Sequence, residues 1–239
     1  GDYAFEYAKI DSFDITAEEV GEYAFYGAEL PSNADLSKTV KYGYQSFYET
    51  TFAGEVVINE RAEFLQDNQE RRFTFLRSTM PSLVVNCNPP TCAFWRGIFY
   101  EISTDKLTFG PGVTHIGNET FYDAKIAGVV DLNNITYIAP GAFYGCSETE
   151  KFIFGYNPTT VKEEAFYGCN NAEFEFNGYV NLDEDSEYAF ANCQKLKKLP
   201  PFKPQTEIVD FVFFGCDSLV ELDLTNVTSL GGVFGKCLN

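Results

Sequence analysis

Residues 142–146 read Ala-Phe-Tyr-Gly-Cys, and residues 165–169 repeat them letter for letter. AFANC at 189–193, VFFGC at 212–216 and VFGKC at 233–237 are variants of the same pentad. Taking its Phe as a marker, the series runs Phe5, Phe25, Phe47, a blurred step at Phe73 or Phe75, then Phe99, Phe121, Phe143, Phe166, Phe190, Phe213 and Phe234. From Phe99 onward the steps are 22, 22, 23, 24, 23 and 21 residues. A period of this size marks a stacked-repeat architecture, because one such unit cannot bury its apolar face without a neighbour.

Within each unit short alternating runs recur, such as Glu173-Phe174-Glu175-Phe176 and Glu221-Leu222-Asp223-Leu224, separated by Gly, Asn and Pro. Alternation over so few residues reads as a half-buried strand, and the separators read as turns. The expectation is a repeat solenoid of about eleven coils, each with one or two short β-strands and a tight helical turn at the pentad. At about 4.8 Å per coil it would extend roughly 50 Å.

Phase decides the role of cysteine. Three residues after successive markers stand Ala8, Ala28, Thr50, Ala124, Cys146, Cys169, Cys193, Cys216 and Cys237. Cysteine alternates there mainly with alanine, so it reads as a small buried filler and not as a ligand or nucleophile. Cys87 and Cys92, in NCNPPTC, fall outside this column; a disulfide closing that small loop and two free thiols are both open.

Composition sets further bounds. The chain is 45% hydrophobic and 22% charged, with 24 Phe and 15 Tyr, which excludes a disordered polymer. Its net charge of −18 repels phosphate backbones, so nucleic acid is excluded as a partner. No apolar run approaches the ~18 residues of a membrane span, and the opening GDYAFEY is not a signal peptide.

VTHIGNETFYDA, ITYIAPGAFYGC and the later AF-x-x-C pentads resemble the BspA-type leucine-rich repeats of bacterial and protist surface proteins. LVVNCNPPTCAFWRGIFYEISTDKLTFGPG resembles their Pro-Pro variant coil. The resemblance covers 93–239 strongly, 1–48 fairly and 49–92 weakly. It implies a right-handed leucine-rich-repeat superhelix, exported to the cell surface or beyond, that binds or adheres without catalysis. The division that follows is one solenoid over 1–239, with N-terminal repeats at 1–48, irregular or variant repeats at 49–97 and regular repeats at 98–239.

Catalytic chemistry finds no constellation. The single histidine, His115, sits at an alternating strand position, and no nucleophile elbow, zinc-protease or nucleotide-binding motif is present. No cofactor and no metal are expected, and NLDEDSE lacks the ligand spacing of a calcium loop. Asn118, Asn134 and Asn226 open N-x-Thr sequons, which carry glycans only in a eukaryotic secretory pathway.

Two binding surfaces are candidates. Asp14, Asp35, Asp131, Glu175 and Asp223 each stand outward between two apolar residues, so one sheet would array them on an exposed face for a basic segment or a cation. Arg71, Arg72, Arg77 and Trp95 lie in the irregular segment, where a longer loop would carry partner specificity. The leading expectation is a surface module binding an extracellular protein or glycan. A structural spacer presenting another domain is the alternative, and a carboxylate-dependent hydrolase a minor one.

Overall fold

The computed structural model describes residues 1–13, 17–65, 72–87 and 96–237. The repeats wind into a β-solenoid of about nine turns whose strands all pair in parallel with those of neighbouring coils. The eleven markers form one column of rings, each 5.0 to 6.1 Å from the next. The turns are fewer than the expected eleven, since eleven markers bound only ten steps and Phe234 has three described residues after it. Phe75, not Phe73, occupies the blurred step.

Strands of two to six residues line up in three walls along the solenoid. After the pentad come Glu29–Leu30, Thr51–Phe52, Thr79–Met80, Ser103–Thr104 and Lys125–Ile126 in one ladder. The next wall holds Val56–Ile58, Leu83–Val85 and Leu107–Phe109, then Gly128–Leu132, Thr149–Phe154 and Glu173–Phe176. The third holds Glu19–Val20, Lys41–Tyr42 and Glu63–Phe64, then His115–Ile116, Tyr137–Ile138, Thr159–Val161 and Val180–Asn181. Two residues suffice for such a strand because one points out to water and the other in, as Lys41 and Tyr42 do.

The fourth wall is the pentad, and it is not helical. Residues two before and two after most markers have left-handed backbone, for example Glu119 at φ 51° and Asp123 at φ 51° around Phe121. This conformation directs alternate amides along the solenoid axis: Glu119, Phe121 and Asp123 donate to the carbonyls of Pro140, Ala142 and Tyr144 one coil on, at 2.9, 2.8 and 2.7 Å. Left-handed geometry costs an L-residue about 1–2 kcal/mol, and the inter-coil bonds offset it. At most of the glycines that take these places a side chain from the coil before lies across, as the Tyr7 ring does over Gly27 and Phe73 over Gly97; Gly168 is open.

The cysteine column is more than filler. Sγ of Cys146, Cys169, Cys193, Cys216 and Cys237 each donates to the carbonyl of the previous coil's marker, at 3.0 to 3.2 Å. Thr50 and Ser78 make the same bond through their hydroxyls, to Phe25 and Phe47. All five of these cysteines carry free thiols. Cys92 lies outside the described residues, so the Cys87–Cys92 pairing does too.

Candidate interaction surface

Asp35, Asp131 and Glu175 stand outward between two buried residues, as alternation assigns, and each also has local work. In register across three coils, Asp131 pairs with Ile153 and Ile153 with Glu175, so the two acids stand two coils apart. Asp35, Asp131 and Asp223 turn back to accept the amides of Ser37, Asn133 and Thr225, at 2.8, 2.8 and 3.0 Å. These are Asx-turns, which start the corner; of the three only Asp131 lies in a strand. The bonds from Ser37 and Thr225 hold the carboxyls of Asp35 and Asp223 below the usual range. Glu175 is held down by Lys151, whose Nζ is 2.5 Å away. Asp223 lies outside any strand, beside an exposed Leu222, and Asp14 lies outside the described residues.

Arg72 and Arg77 do not converge. Arg72 is half-buried and donates through Nε to the Phe64 carbonyl at 2.9 Å. Arg77 stands in the pentad wall, 2.7 Å from Glu101 on the next coil and 3.8 Å from Glu49 on the previous one. Arg71 and Trp95 lie outside the described residues.

His115 is partly buried, with Nδ1 2.7 Å from the Thr114 hydroxyl and its ring 5.6 Å from Tyr137. Among the described residues no cluster of His, Cys, Asp or Glu is arranged to hold a metal. The acids of NLDEDSE clamp a lysine instead: Lys162 Nζ is 2.7 Å from Asp183 and 3.2 Å from Asp185, beside a cleft of about 570 Å³.

A surface that sequence reading passed over lies one residue after the marker. Tyr26, Tyr48, Tyr100, Tyr122, Tyr144 and Tyr167 share that position and are half-exposed. Tyr100, Tyr122, Tyr144 and Tyr167 stack at 4.8, 4.3 and 4.8 Å with rings within 7° of parallel. The recurring Phe-Tyr pair was the available signal, and counting Tyr as bulk concealed it. Because the faces cover one another, water meets ring edges and a line of hydroxyls. Burial raises the Tyr100, Tyr122 and Tyr144 hydroxyls above the usual phenol range, and neighbouring carboxylates, Asp123 at all three among them, add to it.

Carboxylates flank this rail on both sides. Glu119 leans over Gly141 toward Glu164, and the Asp123 carboxylate lies across Gly145. Burial raises Asp123, with Glu101 adding to it; burial raises Glu164, with Glu163, Glu119 and Glu187 adding to it. Two carboxylates are already met by the chain's own guanidinium groups: Arg77 on Glu101, and Arg96 in a two-pronged contact with Glu119 at 3.1 and 3.3 Å.

No helix among the described residues is long and apolar enough to cross a membrane. The fold is similar to solved leucine-rich repeat proteins. One from Eubacterium ventriosum ATCC 27560 covers 100% of this chain and 74% of its own, at TM-score 0.53 and 19% identity. Another, from Bacteroides ovatus ATCC 8483, covers 96% and 71% at TM-score 0.43 and 17% identity. Comparison with curated proteins gives no match. Six copies of the repeat described as "BspA type Leucine rich repeat region" match residues 1–80, 93–180 and 114–239. With that repeat running through nearly its whole length, the chain belongs to the BspA-type leucine-rich repeat family.

Proposed function

We propose that this chain is a non-catalytic binding module acting at or beyond the cell surface, recognising an extracellular protein or glycan through the outside of the solenoid. The observation that carries the reading is the half-exposed tyrosine rail with its carboxylates, a regular polar face presented over successive coils by a rigid hydrogen-bonded frame. Membership of a typically surface-associated family supports the location. The outward acids Asp35, Asp131, Glu175 and Asp223 and the segment around Arg72 and Arg77 offer second contact areas.

The test is a screen of purified protein against extracellular-matrix proteins and a glycan array at low and high salt. A specific, saturable hit supports the reading. Silence on both panels overturns it and favours the spacer, for which a stiff frame bonded coil to coil is equally suited. A hydrolase finds less support, because Asp183 and Asp185 are engaged with Lys162.

A further inference from the structure

Resting on the binding-module reading, we propose that the tyrosine rail from Tyr100 to Tyr167, with Asp123 and Glu164 beside it, holds an arginine-bearing extended segment of a protein partner. The face carries its own evidence of which chemistry it accepts. Arg77 lies between Glu49 and Glu101 with Nη1 3.4 Å from the hydroxyl of Tyr48, which holds the rail position two coils before Tyr100, so one guanidinium spans carboxylates on both sides and meets a tyrosine of that position. Arg96 grips Glu119 with two nitrogens. A planar fork of five donors suits this arrangement of carboxylates and hydroxyls, whereas an ammonium reaches fewer of them.

Beyond Arg96 the internal supply stops. All five arginines lie between residues 61 and 96, yet the rail continues through Tyr122, Tyr144 and Tyr167. Among the described residues Asp123 and Glu164 have no ion pair, and both are crowded by other carboxylates. At Gly145 and Gly168 the wall beside the rail has no side chain of its own, and at Gly168 no side chain from another coil closes over it, so the backbone is open to close approach. A sugar would stack on an exposed aromatic face, and here both faces of Tyr122 and Tyr144, and one face each of Tyr100 and Tyr167, are covered by tyrosines 4.3 to 4.8 Å away. Edges, hydroxyls and unpaired carboxylates remain, which complement a guanidinium.

The experiment measures hexa-arginine and hexa-lysine binding to the intact chain at low ionic strength, comparing two charge-matched double variants. Asp123→Asn with Glu164→Gln alters the rail; Asp131→Asn with Asp223→Asn alters the strand-wall acids. Hexa-arginine is expected to bind more tightly than hexa-lysine and to lose roughly tenfold in the rail variant, against less than about twofold in the other. Tyr144→Phe with Tyr167→Phe, which keeps the stack and removes hydroxyls, is expected to narrow the gap between the two peptides. Equal losses in both charge variants, equal affinity for the two peptides, or no binding would overturn the proposal. A matrix-protein or glycan hit alongside such a result would leave the binding module standing and remove only its arginine-bearing partner.

Discussion

Replacing Phe143 by alanine tests whether the marker column holds the solenoid together. Its side chain is fully buried, stacked at 5.3 Å on Phe121 and 5.4 Å on Phe166, with Phe152 edge-on at 5.2 Å. Emptying a site closed on all sides costs about 3–5 kcal/mol, and the three ring contacts place this one near 4. Phe5 provides the internal comparison, since it is 43% exposed and stacks only on Phe25. With little more than half its surface covered, Phe5→Ala is expected to cost about 1.5 kcal/mol. In thermal melts followed by circular dichroism, the predicted losses are about 8–16 °C for Phe143→Ala and a few degrees for Phe5→Ala. Because each ring touches only its neighbours, Phe143→Ala and Phe166→Ala should be non-additive, while Phe143→Ala and Phe234→Ala should add. Equal costs at Phe5 and Phe143, or additivity at adjacent positions, would refute the column as the stabilising element.

Among the column thiols, Cys237 should be labelled first by a disulfide reagent in the native state, with Cys146, Cys169 and Cys193 labelled only on unfolding. It is half-buried, whereas burial pushes those three thiols well above the usual range and Cys216 up to about 12; peptide mapping of the labelled sites checks the order. Gly155→Ala should destabilise by more than about 2 kcal/mol, because its Cβ would meet the backbone carbonyl of Asn133, while Gly112→Ala, with open space around it, should be near neutral in the same denaturant titration. Stability should have two arms against pH. Asp123 and Glu164 have raised carboxyls, so the folded state binds the extra proton and stability falls as pH rises from their ordinary 3.8 and 4.5 to their folded values. Asp35 and Asp223 are lowered, so their contribution is present above 3.8 and is lost as pH falls below it toward their folded values. Asp123→Asn with Glu164→Gln should abolish the first arm in melts across acid pH and leave the second; persistence of the first would refute the assignment.

Period and phase were legible because a solenoid repeats one contact. The spacing of Phe99, Phe121 and Phe143 alone placed three rings in one column, and every further marker followed. The position of Cys146 was legible but its bond was not, since the accepting carbonyl belongs to Phe121, a full coil away. The helical turn was expected from local sequence alone. Inter-coil hydrogen bonding overrode that preference by holding Glu119 and Asp123, neither of them glycine, in left-handed backbone. The outward phase of Asp131 was read correctly, while its turn with Asn133 sat in plain sight as Asp-x-Asn. The tyrosine rail is equally visible in the recurring Phe-Tyr pair, but a count of Tyr in the composition carries no phase, and phase is what places Tyr122 and Tyr144 on one face.

The overlap of side chains on the next coil's glycines has a consequence for how such chains lengthen and shorten. Tyr7 over Gly27, Phe73 over Gly97, Asp123 over Gly145 and Asn192 over Gly215 make each unit partly shaped for its successor. Whole units are therefore not interchangeable beads. Excising the coil between Asp123 and Cys146 would set Asp123 over Gly168, which has room for it. Excising the coil that contains Gly27 would bring Tyr7 against Glu49, a residue with its own side chain and a left-handed backbone. Tyr7, Phe73, Asp123 and Asn192 each meet a glycine on the next coil, whereas Glu49, Arg77 and Glu101 stand side by side as ion partners, so duplication or loss of a coil changes which of these neighbours meet.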